Sequence, residues 1–127
     1  MNDRQVVVAA SLNLFIAVAA GAFGAHALKG ALPPEMLATW QTAVSYQTTH
    51  GLGMMGIALL MGRFGTILLS RAAFFMLIGI ILFSGSLYLL ALTGQREFGI
   101  LTPFGGAAFL LAWLMVMRAA WKGSTFR

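Results

Sequence analysis

Charged residues are so few in this chain, and so evenly placed, that they dictate what it can fold into. The eleven are Asp3, Arg4, Lys29, Glu35, Arg63, Arg71, Arg96, Glu97, Arg118, Lys122 and Arg127. Between them lie four uncharged stretches, 5–28, 36–62, 72–95 and 98–117, of 24, 27, 24 and 20 residues. A helix rises about 1.5 Å per residue and the hydrocarbon core of a bilayer is about 30 Å thick, so about 20 residues cross it. Each stretch suffices for one crossing and is too short for two. Backbone groups in lipid must be satisfied within their own segment, which leaves helices. Strict alternation is missing, and a barrel needs many more segments. The reading is an all-α chain, a four-transmembrane-helix bundle with spans about 6–28, 40–61, 72–92 and 101–121, forming a single integral membrane domain over 1–127.

Composition closes off the other classes. The chain is 60% hydrophobic and 9% charged, where a soluble domain carries about a quarter charged residues. Disorder needs the opposite balance. Without cysteine there is neither a disulfide framework nor thiolate chemistry. The sequence pI near 10.9 does not point to nucleic acid, because the basic residues flank spans rather than forming an aromatic-interleaved patch. With four spans both termini share a side. That side carries Arg4, Arg63, Arg71, Arg118, Lys122 and Arg127, and the other carries Lys29 and Arg96. Six against two places the N-terminus and C-terminus in the cytoplasm and the chain in the cell inner membrane. The rival reading is a signal peptide cleaved after Ala25-His26-Ala27. It is disfavoured, because the apolar run before that site is too long and Lys29 follows directly.

Polar residues within the spans gather toward one half of the membrane. Counting from Arg63 and Arg71, His50 and Ser84 each stand about 20 Å from the cytoplasmic interface. Tyr46, Gln47, Ser86 and Tyr88 lie further out, and His26 and Thr102 sit near the outer interface. Asn13, near the middle of the first span, is the exception. Tyr46 and Gln47 precede His50 by four and three residues, so all three share a helical face. Such residues turn toward the bundle interior. Two readings stay open: a hydrogen-bonded plug that fixes register, or an outward pocket for a lipid, quinone or small solute. The second needs a cavity. Small residues mark helix packing, with Ala17, Gly21 and Gly24 in the first span and Gly105 and Gly106 in the fourth. Trp40 is expected in the aromatic belt.

Catalytic and cofactor chemistry find little to work with. The spans hold no carboxylate or thiolate, zinc needs three or four ligands, and no metal or other cofactor is expected. Bis-histidine haem needs both imidazoles at one depth, and His26 and His50 differ by roughly 10 Å. Ser84-Gly85-Ser86 lacks the strand-turn-helix setting of a nucleophile elbow. Met54, Met55 and Met61 are simplest as packing residues. The expectation is a non-enzymatic structural or accessory membrane subunit. Its partners would be the lipid bilayer and a homo-oligomer or larger membrane complex, with no nucleic acid; the alternative is a binding or transport protein.

Four ordered motifs carry a resemblance. They are Gly21-Ala22-Phe23-Gly24-Ala25-His26-Ala27-Leu28, Trp40-Gln41-Thr42-Ala43 with Tyr46-Gln47 and His50, Phe83-Ser84-Gly85-Ser86-Leu87-Tyr88, and Thr102-Pro103-Phe104-Gly105-Gly106. Together they resemble domain of unknown function family 423, small four-helix bacterial inner-membrane proteins with eukaryotic relatives resembling transmembrane protein 256. The resemblance covers nearly the whole chain. It implies four spans and an inner-membrane location, and no established reaction.

Overall fold

The structure, a computed structural model, describes residues 1–123; Arg127, counted above with the basic residues of the terminal side, lies outside them. The chain is all-α and folds as four rods. The first is α1 (Asp3–Phe23), prolonged by a π-helical turn at Gly24–Leu28. The second is the unbroken helix α2 (Pro34–Phe64). The third joins α3 (Ile67–Gly79) to α4 (Gly85–Thr93) through a second π-helical turn, Ile80–Ser84. A 3-10 turn at Arg96–Ile100 leads into α5 (Thr102–Gly123).

Local chemistry sets these ends. Asn2 caps α1, its side chain accepting from Gln5 N at 2.8 Å while the Gln5 side chain accepts from Asn2 N at 3.0 Å, so two otherwise unpaired donors are satisfied reciprocally. Pro34 opens α2, where its missing N–H costs nothing. The helix then runs straight on, so it begins six residues before the expected span at 40 and has no separate interfacial turn. Only Gly65 and Thr66 separate α2 from α3, and Gly65 takes φ 98°, a left-handed conformation that glycine adopts without a Cβ penalty.

Three rods are long and apolar enough to cross a membrane: Asp3–Leu28, Ile67–Thr93 and Arg96–Lys122, with mean hydropathies of 2.3, 2.3 and 1.9. The second rod is the longest, at 31 residues, but Tyr46, Gln47, Thr48, Thr49 and His50 interrupt its apolar run and dilute its hydropathy.

Those same residues explain how the rods pack. On α2 the buried positions include Trp40, Ala43, Gln47, His50, Met54, Ile57 and Met61, a repeat of three and four residues that keeps one seam facing its neighbours. On α1 the matching seam is Val6, Ala10, Asn13, Ala17 and Gly24. The opposite side of α1 turns Leu12, Phe15 and Val18 outward, as lipid allows. α2 and the third rod form the central pair, with α1 along α2 and α5 along α3. Near the α2–α3 turn the core is apolar, built on Val6, Met54, Ile57, Met61, Leu69 and Met76. A smaller cluster of Leu28, Trp40 and Ala91 closes the opposite end. The polar side chains are set between the two.

Candidate functional site

α2 is the hub of the polar core. Gln47 sits at a seam position, 4% exposed, and reaches two other rods at once. Its amide nitrogen donates to Asn13 Oδ1 on α1 at 3.1 Å, and its carbonyl oxygen accepts from the Tyr88 hydroxyl on α4 at 2.7 Å. Asn13 passes the chain on, its own amide donating to Ala9 O at 2.9 Å. Direction is fixed throughout. Rotating the Gln47 amide would set two carbonyl oxygens against each other at Asn13, so the sequence Tyr88, Gln47, Asn13, Ala9 runs donor to acceptor without a fault.

One turn along, His50 is held on both ring nitrogens. Nδ1 lies 2.8 Å from Tyr46 O, and Nε2 accepts from Trp113 Nε1 on α5 at 3.1 Å. A carbonyl only accepts and an indole only donates, so the contacts select the tautomer with its proton on Nδ1. The imidazole lies flat on the Phe109 ring, with centroids 3.5 Å apart and 10° between planes. Tyr46 extends this layer, its ring 4.2 Å from that of Phe83 by centroids, and its outer edge is exposed.

The second π turn and the start of α4 supply two further ties. Ser84, fully buried, donates to Ala43 O on α2 at 2.7 Å. Ser86 donates to Phe83 O at 2.9 Å and meets Thr102 Oγ1 on α5 at 2.6 Å. A hydroxyl has one proton, so Thr102 is the donor in that pair. Wide π turns recur at functional sites and re-aim the side chains beyond them. Here the turn at Ile80–Ser84 brings Ser84 to α2 and Ser86 to α5.

Of the eight polar residues singled out from sequence, Gln47 and Tyr88 bond each other, and Ser86 bonds Thr102. Ser84 and His50 bond separate partners, and Tyr46 contributes its carbonyl and its ring. His26 stands exposed on the first π turn and takes no part in these bonds. Three contributors were not among the eight. Asn13 closes the Gln47 chain, and its place in the α1 seam is the signal that pointed there. Trp113 carried no sequence signal apart from its type. Trp40, expected in the interfacial belt, is 6% exposed and donates from its indole to Ala20 O at 2.8 Å. Gly24 makes that possible, since any Cβ there would fall 2.6 Å from Trp40 Cδ1. Among the described residues no buried side-chain nitrogen or oxygen lacks a hydrogen-bond partner, and no three His, Cys, Asp or Glu residues are grouped to hold a metal.

Fold and site together define a small helical membrane protein whose polar groups turn inward and bond one another. The family profile described as "Protein of unknown function (DUF423)" matches residues 20–106. The chain is 41% identical to the UPF0382 membrane protein YwdK of Bacillus subtilis over 120 residues, covering 94% of this chain and 98% of that one. It is 42% identical to the UPF0382 membrane protein SERP0230 of Staphylococcus epidermidis over 119 residues, covering 94% and 97%. It is 38% identical to the UPF0382 inner membrane protein YgdD of Escherichia coli over 120 residues, covering 94% and 92%. No solved structure matches it. The chain belongs to this family, and it is a multi-pass protein of the bacterial inner membrane.

Proposed function

We propose that all four rods cross the membrane with both termini in the cytoplasm, and that the protein is a non-enzymatic structural or accessory subunit that associates with itself or with a larger membrane complex. The observation that carries this reading is the closure of the buried polar core: among the described residues every buried side-chain nitrogen and oxygen already holds a hydrogen-bond partner within the protein. The spans hold no carboxylate, so acid–base hydrolysis has no second group to work with. Crossing by α2 is supported by its seam, which is buried at intervals from Trp40 to Met61, about 32 Å of rise, close to the hydrocarbon thickness. Of the residues that lower its hydropathy, Gln47 and His50 are buried against the neighbouring rods, where intramembrane polar groups belong. The orientation is supported by Arg4, Arg63, Arg71, Arg118 and Lys122 at one end against Lys29 and Arg96 at the other.

Crosslinking of the protein purified in mild detergent tests the association; dimers, higher species or a copurifying partner are expected, and a strictly monomeric, partnerless protein would count against it. Orientation is tested with single cysteines, for which the cysteine-free chain is a clean background. In intact cells whose outer layers are permeable to it, a membrane-impermeant maleimide should label Gln95→Cys at once and Thr66→Cys only after lysis. The reverse pattern would place the termini outside.

A second reading, a protein that binds or transports a lipid, quinone or small solute, is favoured by one feature. Tyr46 is 42% exposed beside the stacked His50 and Phe109 rings, and so offers aromatic surface to whatever lies against it. A copurifying ligand released by Tyr46→Ala would favour this reading over the first.

A further inference from the structure

Three of the basic residues used above to orient the chain come together in space. Where α2 turns into α3, a cleft of about 580 Å³ opens between the Phe64–Leu68 turn and the last turns of α5. Ile67, Leu68 and Ala119 give it apolar walls, and Arg71, Arg118 and Lys122 also line it. Arg118 and Lys122 are four residues apart and project from one face of α5, while Arg71 comes from the first turns of α3. Among the described residues no acidic side chain lines this cleft. Asp3 lies in an adjoining cleft of about 540 Å³ that shares Thr66, Ile67 and Arg71 and also carries the Met1 ammonium. Arg71 and Arg118, two like charges lining one cleft, repel each other unless an anion sits between them.

The surroundings specify the anion. Arg71 and Arg118 bound the third and fourth uncharged stretches, which puts their guanidinium groups at headgroup depth. Ile67 is 72% exposed at the mouth of the cleft, an expense in water but not beside an acyl chain. A dissolved anion would use the cations and leave that wall bare; a phospholipid uses both. Guanidinium groups match phosphate oxygens through paired N–H donors, and basic pockets between membrane helices take anionic headgroups. We propose that this cleft binds an anionic phospholipid, with Arg71 and Arg118 on its phosphate and the first acyl segment along Ile67, Leu68 and Ala119. The proposal holds whichever way the chain is oriented, because anionic headgroups occur in both leaflets.

The test is native mass spectrometry of the full chain exchanged from detergent into mixed phosphatidylglycerol and phosphatidylcholine. Retained phosphatidylglycerol should fall about 25-fold in the Arg71→Gln, Arg118→Gln double variant, about fivefold for each basic residue removed near the membrane surface. The Lys29→Gln, Arg96→Gln double variant, with the same charge loss at the opposite end, should retain it as the parent does. Phosphatidylcholine should not substitute, and millimolar inorganic phosphate should not displace the lipid. Equal losses in the two double variants would mean diffuse attraction and overturn the site. So would unchanged retention in the first, or displacement by free phosphate, which would make the ligand a soluble anion. If the first double variant does not fold, the single variants Arg71→Gln and Arg118→Gln carry the same comparison, at about fivefold each.

Discussion

Alanine at Gly105 is expected to destabilise the bundle by about 2–3 kcal/mol, in the upper part of the range for overpacked cores. A Cβ at this position would press on the backbone of Phe83, within 2.8 Å of its Cα and Cβ and closer still to its nitrogen. Flexible side chains can swing away from such a contact, but a helix backbone cannot, so α5 would have to move off the third rod. Gly79 makes the same crossing tight from the other side, since a Cβ there would meet the Phe109 ring and lie 3.1 Å from Gly105 O. The controls sit nearby. At Gly106 the nearest heavy atom to a new Cβ is Phe83 Cδ2 at 3.9 Å, and at Gly56 nothing lies within 4 Å. Gly106→Ala and Gly56→Ala should therefore be neutral or stabilising by up to about 1 kcal/mol, the difference in helix propensity. Unfolding in mixed micelles, followed by tryptophan fluorescence, ranks the three. Equal stability of Gly105→Ala and Gly106→Ala would show that the helices are not held this closely.

This contrast also marks what could be read from the chain alone. Gly105 and Gly106 look alike in sequence, where small size marks both as packing residues. Only the registry of α5 against the third rod tells the residue under a backbone from the one beside a ring. The four rods were legible because charge is intolerable in lipid, so eleven residues bracket them. The ends were less so: α2 starts at Pro34 and not at 40, since nothing in the interface obliges a helix to begin at the hydrocarbon boundary. The seam on α2 was hidden by its own chemistry. Trp40, Ala43, Gln47, His50, Met54, Ile57 and Met61 keep the spacing of a packed helix, but Gln47 and His50 stand in the middle of it, and hydropathy scores them as interruptions. Trp40 and Trp113 were obscured differently. At a span end the Trp40 indole suggests an interface anchor, Trp113 in mid-span suggests nothing, and no local signal announces that their N–H groups find Ala20 O and His50 Nε2. Asn13 stood apart from the other polar residues by depth, yet a long amide side chain from α2 bridges that gap.

Gln47→Leu tests whether this core is a plug, and it should lower stability by about 1–3 kcal/mol. Two interhelical bonds are lost, each worth about 0.6 kcal/mol on average and about 1.7 at most in membranes. The larger effect is on what remains. Asn13 Oδ1 and the Tyr88 hydroxyl lose their partner in a place where little water can replace it, and a stranded polar group costs more than a bond contributes. The same asymmetry predicts a rescue. Removing the stranded groups as well, in the triple variant Asn13→Leu, Gln47→Leu, Tyr88→Phe, should recover much of the loss, because an apolar core of similar volume has nothing left unpaired. Both variants are compared by unfolding in mixed micelles, with double-mutant cycles over the Gln47–Tyr88 and Gln47–Asn13 pairs. A triple variant no more stable than Gln47→Leu alone would mean that the network contributes more than register, and that its shape cannot be copied by hydrocarbon. A rescued triple variant that still crosslinks to its partners would identify the polar core as structural. A rescued variant that has lost a bound ligand would shift the balance to the second reading, since stability and occupancy would then have separated at Gln47.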